Sequence, residues 1–529
     1  MPILNWIGKE AVVNHDKEVP FRLLKKVKSL SYGENSQNLI IHGDNLEALK
    51  ALMPYYQGQV KCIYIDPPYN TGNEGWVYND KVNSPKIRKW FEQKIEVKAD
   101  DLCRHDKWLC MMYPRLKLLK DLLSDDGVIF VSIDDNEYAN LKQIMDDIFG
   151  EGNFIANLIW RKKRGGGRGN SLVIPQTEYV LTYTRNVNKL NPFTKELSEY
   201  KIKKFKYEDT WGKYNREGLD HHSPKGAYER KTLQYNLEID GKQIYCPTGQ
   251  WLWSKERVDK ELKNYTLNKE GTKEYKYLDI IQDKNKRWRA FKKVRLEEGE
   301  EEREETILSF IDNPQITNNA SAFEIKDIFG SAKFNYAKPS SLVKYLIKTG
   351  SDKEGIILDS FAGSGTTGQA VLDLNKEDGG NRKFILVELE DKVAKDITAE
   401  RVKRSIEKYD YKDGFEFCEL DKPLFNQEGQ IEQECTFEQL ATYIYFTETN
   451  TNIDRKAISG NFIGGYDETE YYLIFKEKGK NVLSKEVLKK LQKDNKRKVI
   501  YADKCLIDER TLDKRKIQFK QIPYEVKVY

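Results

Sequence analysis

The fold is decided between Val60 and Tyr69, where the chain reads VKCIYIDPPY. The first six residues form a mostly apolar run, which is typical of a strand buried in a parallel sheet. The run ends at Asp66, and two prolines follow it directly. In an open α/β sheet, ligands bind beyond the carboxyl ends of the strands. This stretch therefore predicts a buried strand that carries Asp66 to the edge of a ligand cleft.

The tetrapeptide after this strand suits an amino group that donates hydrogen bonds. Pro67 and Pro68 restrict the backbone and remove two N–H donors, so the turn offers carbonyl oxygens and one carboxylate. If the Asp66 carboxylate and the Pro67 carbonyl each accept one N–H, an aromatic amine is drawn towards tetrahedral geometry and its lone pair is exposed. Tyr69 offers a ring on which a base can stack. We predict that Asp66, Pro67, Pro68 and Tyr69 are catalytic; the alternative is a strand-terminal turn without a function.

The second motif begins at Asp359, 359 − 66 = 293 positions after Asp66, and reads DSFAGSGTT. It follows a predicted strand at 355–359 and precedes a predicted helix. Glycines allow the backbone to approach a ligand closely, and a helix N-terminus presents free N–H groups. The next strand ends at Glu388, 388 − 363 = 25 residues after Gly363, where a carboxylate can bind ribose hydroxyls. The G-x-G-T-T pattern indicates a nucleotide-like ligand and favours a dinucleotide less than G-x-G-x-x-G would.

Strand-like and helical runs alternate from about residue 38 to 186, with a predicted helix at 138–149, and again from 341 to 388. This alternation predicts a parallel, doubly wound α/β sheet. The residues between these two stretches are polar and rich in Lys, Tyr and Trp, so we predict one fold interrupted by an inserted domain. After residue 410 we predict a further α+β unit, with a strand at 471–475 and a Lys-rich helix at 483–494.

The two motifs together resemble the signature of amino-group DNA methyltransferases. The tetrapeptide precedes the glycine loop and the insertion lies between them, which resembles the β group of these enzymes. The resemblance implies a Rossmann-like methyltransferase sheet with a circularly permuted motif order, S-adenosylmethionine as the cofactor, and a target-recognition domain in the insertion. With Asp66 at its first position, the tetrapeptide resembles that of the N6-adenine enzymes, whereas N4-cytosine enzymes usually carry Ser there. The implied reaction is methyl transfer to N6 of adenine in duplex DNA, after the base is flipped out.

Further segments extend this resemblance. HGDN at 42–45 resembles the segment whose Asp lies near the cofactor adenine, and FNYAKP at 334–339 resembles the segment that closes over the cofactor. The segments at 106–108, 114–116 and 131–137 resemble those that follow the tetrapeptide in the family. The resemblance implies these cofactor-binding residues: Asp44, Asp66, Lys338, Asp359, Phe361, Gly363, Gly365, Thr366, Thr367 and Glu388.

Two C-terminal segments, YFTET at 445–449 and FKQIPY at 519–524, resemble those of modification subunits of type III restriction-modification systems. The resemblance implies a homodimer that partners a restriction subunit, an ATP-dependent helicase-nuclease. The expected domains are an N-terminal extension (1–37), a methyltransferase domain in two parts (38–190 and 331–410), a target-recognition domain (191–330) and a C-terminal domain, a candidate for dimerisation (411–529). The alternatives are a solitary adenine or N4-cytosine methyltransferase and, from another class, a catalytically silent DNA-binding module.

Two clusters of cations predict contacts with DNA. RKKRGGGR at 161–168 has five cations and no acid, and phosphate contacts of this kind supply the salt-dependent part of DNA affinity. KNKRWRAFKK at 284–293 interleaves cations with aromatic rings, which favours backbone contact or stacking on an opened strand; a solvated face is the alternative. The predicted DNA-binding residues are Arg161, Lys162, Lys163, Arg164, Arg168, Arg287, Trp288 and Arg289.

Composition limits the remaining classes of protein. The net charge is only +5, so a polyanionic partner has to be recognised through local clusters of charge. The seven cysteines form no CxxC pair, and His221-His222 has no third ligand at metal spacing, so we predict a reduced protein without a metal site. No run approaches the ~18 apolar residues of a membrane span, and we expect a cytoplasmic protein that does not associate with membranes.

Overall fold

The computed structural model describes residues 4–34, 36–71, 102–165, 172–197, 199–221, 230–298, 301–302, 304–425, 431–432, 435–476, 480–491 and 495–522. The chain divides into two compact units, one of residues 1–191 and 308–529 and the other of residues 192–307. Among the described helices, none combines the length and apolar character that a bilayer crossing requires.

The first unit begins with the elements that carry the tetrapeptide. Its helices are α1 (Lys9–Val12), α2 (His15–Glu18), α3 (Asn45–Tyr56), α4 (Leu102–Leu122) and α5 (Tyr138–Phe149). Its strands are β1 (Arg22–Lys26), β2 (Leu39–His42), β3 (Val60–Ile65), β4 (Leu123–Ile133), β5 (Phe154–Arg161) and β6 (Thr177–Thr184). The predicted strand β3 and the predicted helix α5 are confirmed at both ends, because each shows one clear apolar pattern between polar flanks.

The second unit is built mainly of short strands. Its helices are α6 (Glu199–Ile202) and α7 (Lys255–Glu261). Its strands are β7 (Thr194–Glu196), β8 (Tyr207–Asp209), β9 (Gly212–Gly218), β10 (Leu237–Ile239), β11 (Lys242–Ile244), β12 (Tyr265–Leu267), β13 (Lys273–Tyr275), β14 (Leu278–Gln282), β15 (Trp288–Arg295), β16 (Glu297–Glu298), β17 (Glu301–Glu302) and β18 (Glu304–Thr306). Strands β8, β9, β10, β11, β14 and β15 form one sheet, with β15 pairing to β9, β11 and β14. Trp251 and Trp253 lie in the core of this unit.

The chain then completes the first unit. The helices here are α8 (Asn318–Phe329), α9 (Ser340–Gly350), α10 (Thr366–Asp378), α11 (Asp391–Val393) and α12 (Glu400–Tyr409), with a π-helical turn (Ala394–Ala399) between the last two. The strands are β19 (Phe310–Ile311), β20 (Ile356–Asp359), β21 (Lys383–Glu388) and β22 (Glu416–Pro423). The second unit ends at residue 307 rather than at the predicted boundary of 330, because β19 pairs with β5 and α8 packs against α12.

The large sheet of the first unit has the order β1-β22-β2-β21-β20-β3-β4-β6-β5-β19 among the described strands. The six strands from β22 to β4 are parallel to one another, whereas β1 and β6 pair antiparallel with their inner neighbours. From β3 the chain continues to β4 in one direction, and from β20 it continues to β21 in the other. The strand order therefore reverses between β3 and β20, which is where a doubly wound sheet binds its ligand. The predicted fold class is confirmed.

The C-terminal part contains a smaller sheet of its own. Its helices are α13 (Phe437–Thr449), α14 (Lys485–Lys490) and α15 (Glu509–Lys514). Its strands are β23 (Phe462–Tyr466), β24 (Thr469–Leu473), β25 (Val482–Leu483), β26 (Arg497–Ala502), β27 (Lys504–Cys505) and β28 (Ile517–Gln521). Helix α14 is shorter than the predicted helix at 483–494: Ser484 caps its N-terminus by accepting the Val487 N–H, so Leu483 is left to pair in β25. Residues 492–494 of that prediction lie outside the described residues.

Candidate active site

The two motifs meet at adjacent strand ends. Strand β3 pairs in parallel with β20, and Ile63 lies opposite Leu358. Asp66 follows β3 directly, and Asp359 ends β20. Both aspartates line a cavity of about 500 Å³, the first cavity, together with the glycine loop. The predicted convergence of two segments nearly 300 positions apart is therefore confirmed.

The glycine loop is braced by the two carboxylates that flank it. Asp359 accepts the Phe361 N–H at 3.0 Å and the Thr367 hydroxyl at 2.5 Å. Glu388, at the end of β21, accepts the Gly363 N–H at 2.8 Å. Burial raises the pKa of both Asp359 and Glu388 to about 7. The loop is thus hydrogen-bonded to two carboxyl groups that change charge near neutral pH.

Gly365 is required by the backbone and by close packing beneath the loop. Its φ is +77°, in the left-handed region that other residues avoid. A Cβ at this position would lie 3.0 Å from the Thr398 carbonyl oxygen. Phe361, Gly363, Thr366 and Thr367, which were predicted with Gly365, line the first cavity, whereas Gly365 supports the loop from behind.

Lys338 binds the tetrapeptide carboxylate. Its ammonium donates to both Asp66 carboxylate oxygens at 2.7 Å and lies 4.7 Å from the centre of the Tyr69 ring. A second carboxylate, Glu178, lies 3.6 Å away. Lys338 was predicted to bind the cofactor; the structure does place it on the wall of the first cavity. Its ammonium, however, binds the Asp66 carboxylate, which the sequence assigned to the target amine. It also lies over the Tyr69 ring, which the sequence assigned to the target base.

The charges of Asp66 and Lys338 depend on each other. Burial raises the pKa of Asp66, and the Lys338 ammonium opposes that rise. Burial acts to lower the pKa of Lys338, but Asp66 and Glu178 outweigh it, so this pKa lies above its ordinary value. Burial and the neighbouring Asp66 hold the pKa of Tyr69 well above its ordinary value. Near neutral pH the lysine is therefore charged and the tyrosine is a neutral hydrogen-bond donor.

Sequence reasoning missed Glu178, which connects the surrounding side chains. This buried residue of β6 accepts the Tyr69 hydroxyl at 3.1 Å and the Lys162 ammonium at 3.0 Å. It is 178 − 69 = 109 residues away from Tyr69, so the contact has no local signal. The available signal was an acid in the otherwise uncharged strand TEYVLTYT, where a buried charge needs a partner.

A second cavity of about 840 Å³ adjoins the same carboxylate. Tyr69, Glu178 and Lys162 line it, and Asp66 and Lys338 line both cavities. Pro67 faces the second cavity, while Pro68 lines both and its carbonyl accepts the Trp108 indole N–H at 2.7 Å. The tetrapeptide thus stands at the junction between two spaces, and Trp108 anchors its turn.

Asp44 has a structural role in the described part of the chain. Its carboxylate caps α3 by accepting the N–H groups of Leu46 and Glu47. It also forms a buried ion pair with Arg115 at 3.0 Å. Asp44 is absent from the described residues that line the first cavity, but its chain neighbours Gly43 and Asn45 donate hydrogen bonds to the carbonyl oxygens of Glu388 and Ser360. It therefore lies next to the predicted cofactor motif, and its contact with the cofactor stays a prediction.

The predicted DNA-binding cations mostly have acidic partners. Arg161 and Arg164 both approach Asp312, and Lys162 binds Glu178. Lys163 is half-buried, and Arg168 lies outside the described residues.

In the second unit the cations are paired in the same way. Arg287 pairs with Asp283 and Arg289 with Asp220, each at 3.0 Å. Trp288 packs against the core of its unit. Contact of these residues with DNA stays a prediction.

A group with metal-ligand spacing, His42, Asp391 and Glu419, lies within the described residues. The Lys395 ammonium is 2.5 Å from Asp391 and 3.0 Å from Glu419, so these acids already have a cation. His222, which was considered as a metal ligand in the sequence, lies outside the described residues.

Comparison with known proteins adds to this geometry. The profile of a family described as DNA methylase matches residues 60–400. The chain is 33% identical over 434 residues to the Mod subunit of the type III restriction-modification enzyme EcoPI from Escherichia phage P1, covering 74% of this chain and 64% of that subunit. It is 33% identical to the StyLTI Mod subunit from Salmonella typhimurium, covering 70% of this chain and 55% of that subunit. The chain therefore spans less than two thirds of the length of these Mod subunits.

Two further comparisons concern a shorter relative and a solved structure. The type II methyltransferase M.KpnI from Klebsiella pneumoniae is 31% identical over 389 residues, covering 69% of this chain and 84% of that enzyme. A putative DNA modification methylase from Thermus thermophilus, solved in complex with S-adenosyl-L-methionine, gives a TM-score of 0.32 at 13% identity, covering 73% of this chain and all of that one.

Proposed function

Because this chain belongs to the DNA methylase family, we propose that it transfers a methyl group from S-adenosylmethionine to N6 of adenine in duplex DNA. The observation that carries the proposal is the position of Asp66, whose side chain borders both cavities. One cavity has the glycine loop of a nucleotide site, and the other has an aromatic ring suited to a base. The carboxylate lies at the junction where a methyl donor and an amine would meet.

The first cavity fits the methyl donor. Its volume of about 500 Å³ lies within the roughly 300–1,000 Å³ range of small-molecule sites. The main chain at Gly363 and the start of α10 would hold the donor through backbone N–H groups, and Glu388 would accept its ribose hydroxyls. Phe361 contributes an apolar wall. The donor, when bound, supplies an electrophilic sulfonium methyl group.

The second cavity receives the target base in this proposal. Flipping a base out of the duplex costs on the order of a few kcal/mol, and stacking on Tyr69 offsets part of that cost. Asp66 and the Pro67 carbonyl accept the two N–H groups of the adenine amine. The nitrogen lone pair would then be free to form the new bond to the methyl carbon that the donor supplies, as the carbon–sulfur bond breaks towards sulfur. The product nitrogen would lose its proton to solvent water afterwards, so Asp66 need not act as a base before the attack.

Lys338 has to leave Asp66 for this to occur, because its ammonium holds both carboxylate oxygens. Glu178 offers the alternative partner at 3.6 Å. A small displacement of Lys338 towards Glu178 keeps its charge compensated while it exposes Asp66.

The test is the substitution Asp66→Ala in the full chain. We expect methyl transfer to be abolished while DNA binding stays close to that of the unaltered protein. The matched control is Asp352→Asn, an exposed residue beside the turn at 353–354 that lines neither cavity. Incorporation of labelled methyl into unmethylated genomic DNA measures turnover, and nucleoside mass spectrometry separates N6-methyladenine from N4-methylcytosine. Retained turnover in Asp66→Ala would refute the role of this carboxylate, and lack of transfer by the unaltered chain would favour a catalytically silent DNA-binding module.

We further propose that the chain acts as the modification subunit of a type III restriction-modification system in the cytoplasm. Similarity to Mod subunits over about three quarters of the chain supports this proposal. In it, the unit of residues 192–307 reads the target sequence, and the chain forms a homodimer that partners a restriction subunit. Light scattering on the purified chain tests the dimer: a monomer at micromolar concentration with full activity would contradict it.

We propose that the cations of the 161–168 segment, together with Arg287 and Arg289, contact DNA phosphates. Arg164 has an exposed fraction of 38% and shares Asp312 with Arg161, so one acid compensates two guanidinium groups. Loss of one phosphate contact reduces the slope of log affinity against log salt by about 0.9. We expect this change for Arg164→Ala; an unchanged slope would exclude that contact.

A further inference from the structure

Helix α8 borders the second cavity and also reaches the segment that carries Lys338. Its residues Asn318, Ser321, Ala322 and Ile325 line the second cavity. Glu324, on the same helix, binds the start of α9 instead. Its carboxylate accepts the Ser340 hydroxyl at 2.9 Å and the Ser340 N–H at 3.1 Å. Ser340 follows Lys338 by only two positions. Glu324 therefore binds the segment that carries Lys338, the residue whose ammonium binds the Asp66 carboxylate.

Glu324 also reaches the glycine loop through one buried guanidinium group. Arg401 of α12 is fully buried and lies 3.3 Å from the Glu324 carboxylate. Arg401 donates at 2.7 Å to the hydroxyl oxygens of both Ser364 and Thr366 in the loop. Burial lowers the pKa of Arg401 to about 10, and Glu324 opposes that shift. The carboxylate is therefore the acidic partner of a cation that supports the cofactor motif.

These contacts close into a ring. The Thr366 hydroxyl donates to the Lys338 carbonyl oxygen at 3.2 Å, which joins the glycine loop to the lysine segment directly. The ring then runs from Lys338 along the chain to Ser340, to Glu324, to Arg401 and back to Thr366. The Glu324 carboxylate thus connects α8, which lines the second cavity, with the glycine loop of the first cavity and with the backbone of the Lys338 segment.

We propose that Glu324 is a positioning residue that couples binding in the two cavities. The inference rests on the proposed function and adds to it the route by which the methyl donor and the target base favour each other. A base that fills the second cavity presses on α8, and Glu324 transmits the shift to the lysine segment and to the glycine loop. By thermodynamic linkage, the methyl donor favours base binding by the same factor.

The experiment compares Glu324→Gln with Asp327→Asn in the full chain. Asp327 lies on the same helix and pairs at the surface with Lys408, outside the ring. The measured quantity is the Kd of sinefungin, an unreactive analogue of the methyl donor, with and without unmethylated genomic DNA. The ratio of these two Kd values is the coupling factor. It is insensitive to a uniform loss of binding, which a merely structural role would produce.

We expect a coupling factor of roughly 5–150 for the unaltered chain and for Asp327→Asn. For Glu324→Gln we expect the coupling factor to fall to about 1. For Ser340→Ala, which removes one hydroxyl contact to Glu324, we expect an intermediate value. This second variant keeps the inference testable if Glu324→Gln fails to fold. A full coupling factor in both variants would overturn the inference while leaving the proposed function intact. Failure of the unaltered chain to bind sinefungin or to transfer methyl groups would instead overturn the proposed function, and the inference with it.

Discussion

Replacement of Lys338 by Met should move the acidic limit of activity to higher pH. The substitution removes the ammonium from Asp66 and leaves a side chain of similar length in the same space. In the proposed reaction Asp66 has to be ionised to accept the target amine, so we expect activity to be lost as the pH falls through its pKa. Burial already raises that pKa, and Lys338 is the cation that opposes the rise. Without the cation, Asp66 should take up a proton at a higher pH.

The size of the shift follows from the geometry of the pair. The ammonium lies 2.7 Å from each carboxylate oxygen. An opposite charge at such a distance lowers the pKa of a carboxyl group by about 1–3 units. The side chains are only 10% exposed for Lys338 and 24% exposed for Asp66, so salt screens the pair weakly. We therefore expect the acidic limb to rise by about 1–3 pH units in Lys338→Met.

The assay is methyl transfer at saturating S-adenosylmethionine, with kcat/KM for DNA measured between pH 5 and 9. This ratio reports ionisations of the enzyme before DNA binds, which is the state with the ion pair intact. Lys338→Arg is the matched control, because it retains a cation beside Asp66. An unchanged acidic limb in Lys338→Met, or an equal shift in Lys338→Arg, would refute the reasoning.

Two further predictions concern the first cavity. Burial raises the pKa of Glu388 to about 7, so its carboxylate becomes protonated as the pH falls through that value. The affinity for S-adenosylmethionine, measured by calorimetry, should therefore weaken from pH 8 to 6. The Glu388→Gln substitution should reduce this dependence on pH. An equally steep dependence in the variant would exclude Glu388 as its source. Gly365→Ala should lower the free energy of unfolding in urea by more than Gly379→Ala. Both positions have left-handed backbones, which cost other residues about 1–2 kcal/mol, but only at Gly365 would the new Cβ meet a neighbour, the Thr398 carbonyl oxygen. Equal losses would contradict the packing argument.

The sequence predicted best the elements whose pattern is local. Helix α5 is confirmed at both ends because Leu141, Ile144, Met145 and Ile148 recur at helical spacing and are all buried. Strand β3 is confirmed because its apolar run stops sharply at Asp66. The meeting of the two motifs could also be predicted, since parallel strands place their carboxyl ends at one edge of the sheet.

Features that depend on distant partners were not predictable in this way. Strand β19 has two residues, and its pairing with β5, which no local pattern indicates, shows that the chain has returned to the first unit. Lys338 was assigned to the cofactor from the resemblance of the 334–339 segment, and its ion pair with Asp66 was not foreseen because it spans 338 − 66 = 272 positions. Asp44 is a different case. It has Glu47 three positions later, which is the spacing of a helix-capping signal, so its structural role was readable in the sequence.

The position of β22 determines where this protein can be divided. This strand follows residue 410, yet it lies inside the large sheet between β1 and β2. A fragment that stopped at residue 410 would leave the backbone N–H and C=O groups of β2 facing solvent along a new sheet edge. Such an edge is a template for pairing with other chains. Expression of a fragment that stops at residue 410 should therefore produce aggregates. A fragment that extends through Pro423 and retains Arg22–Lys26 should not.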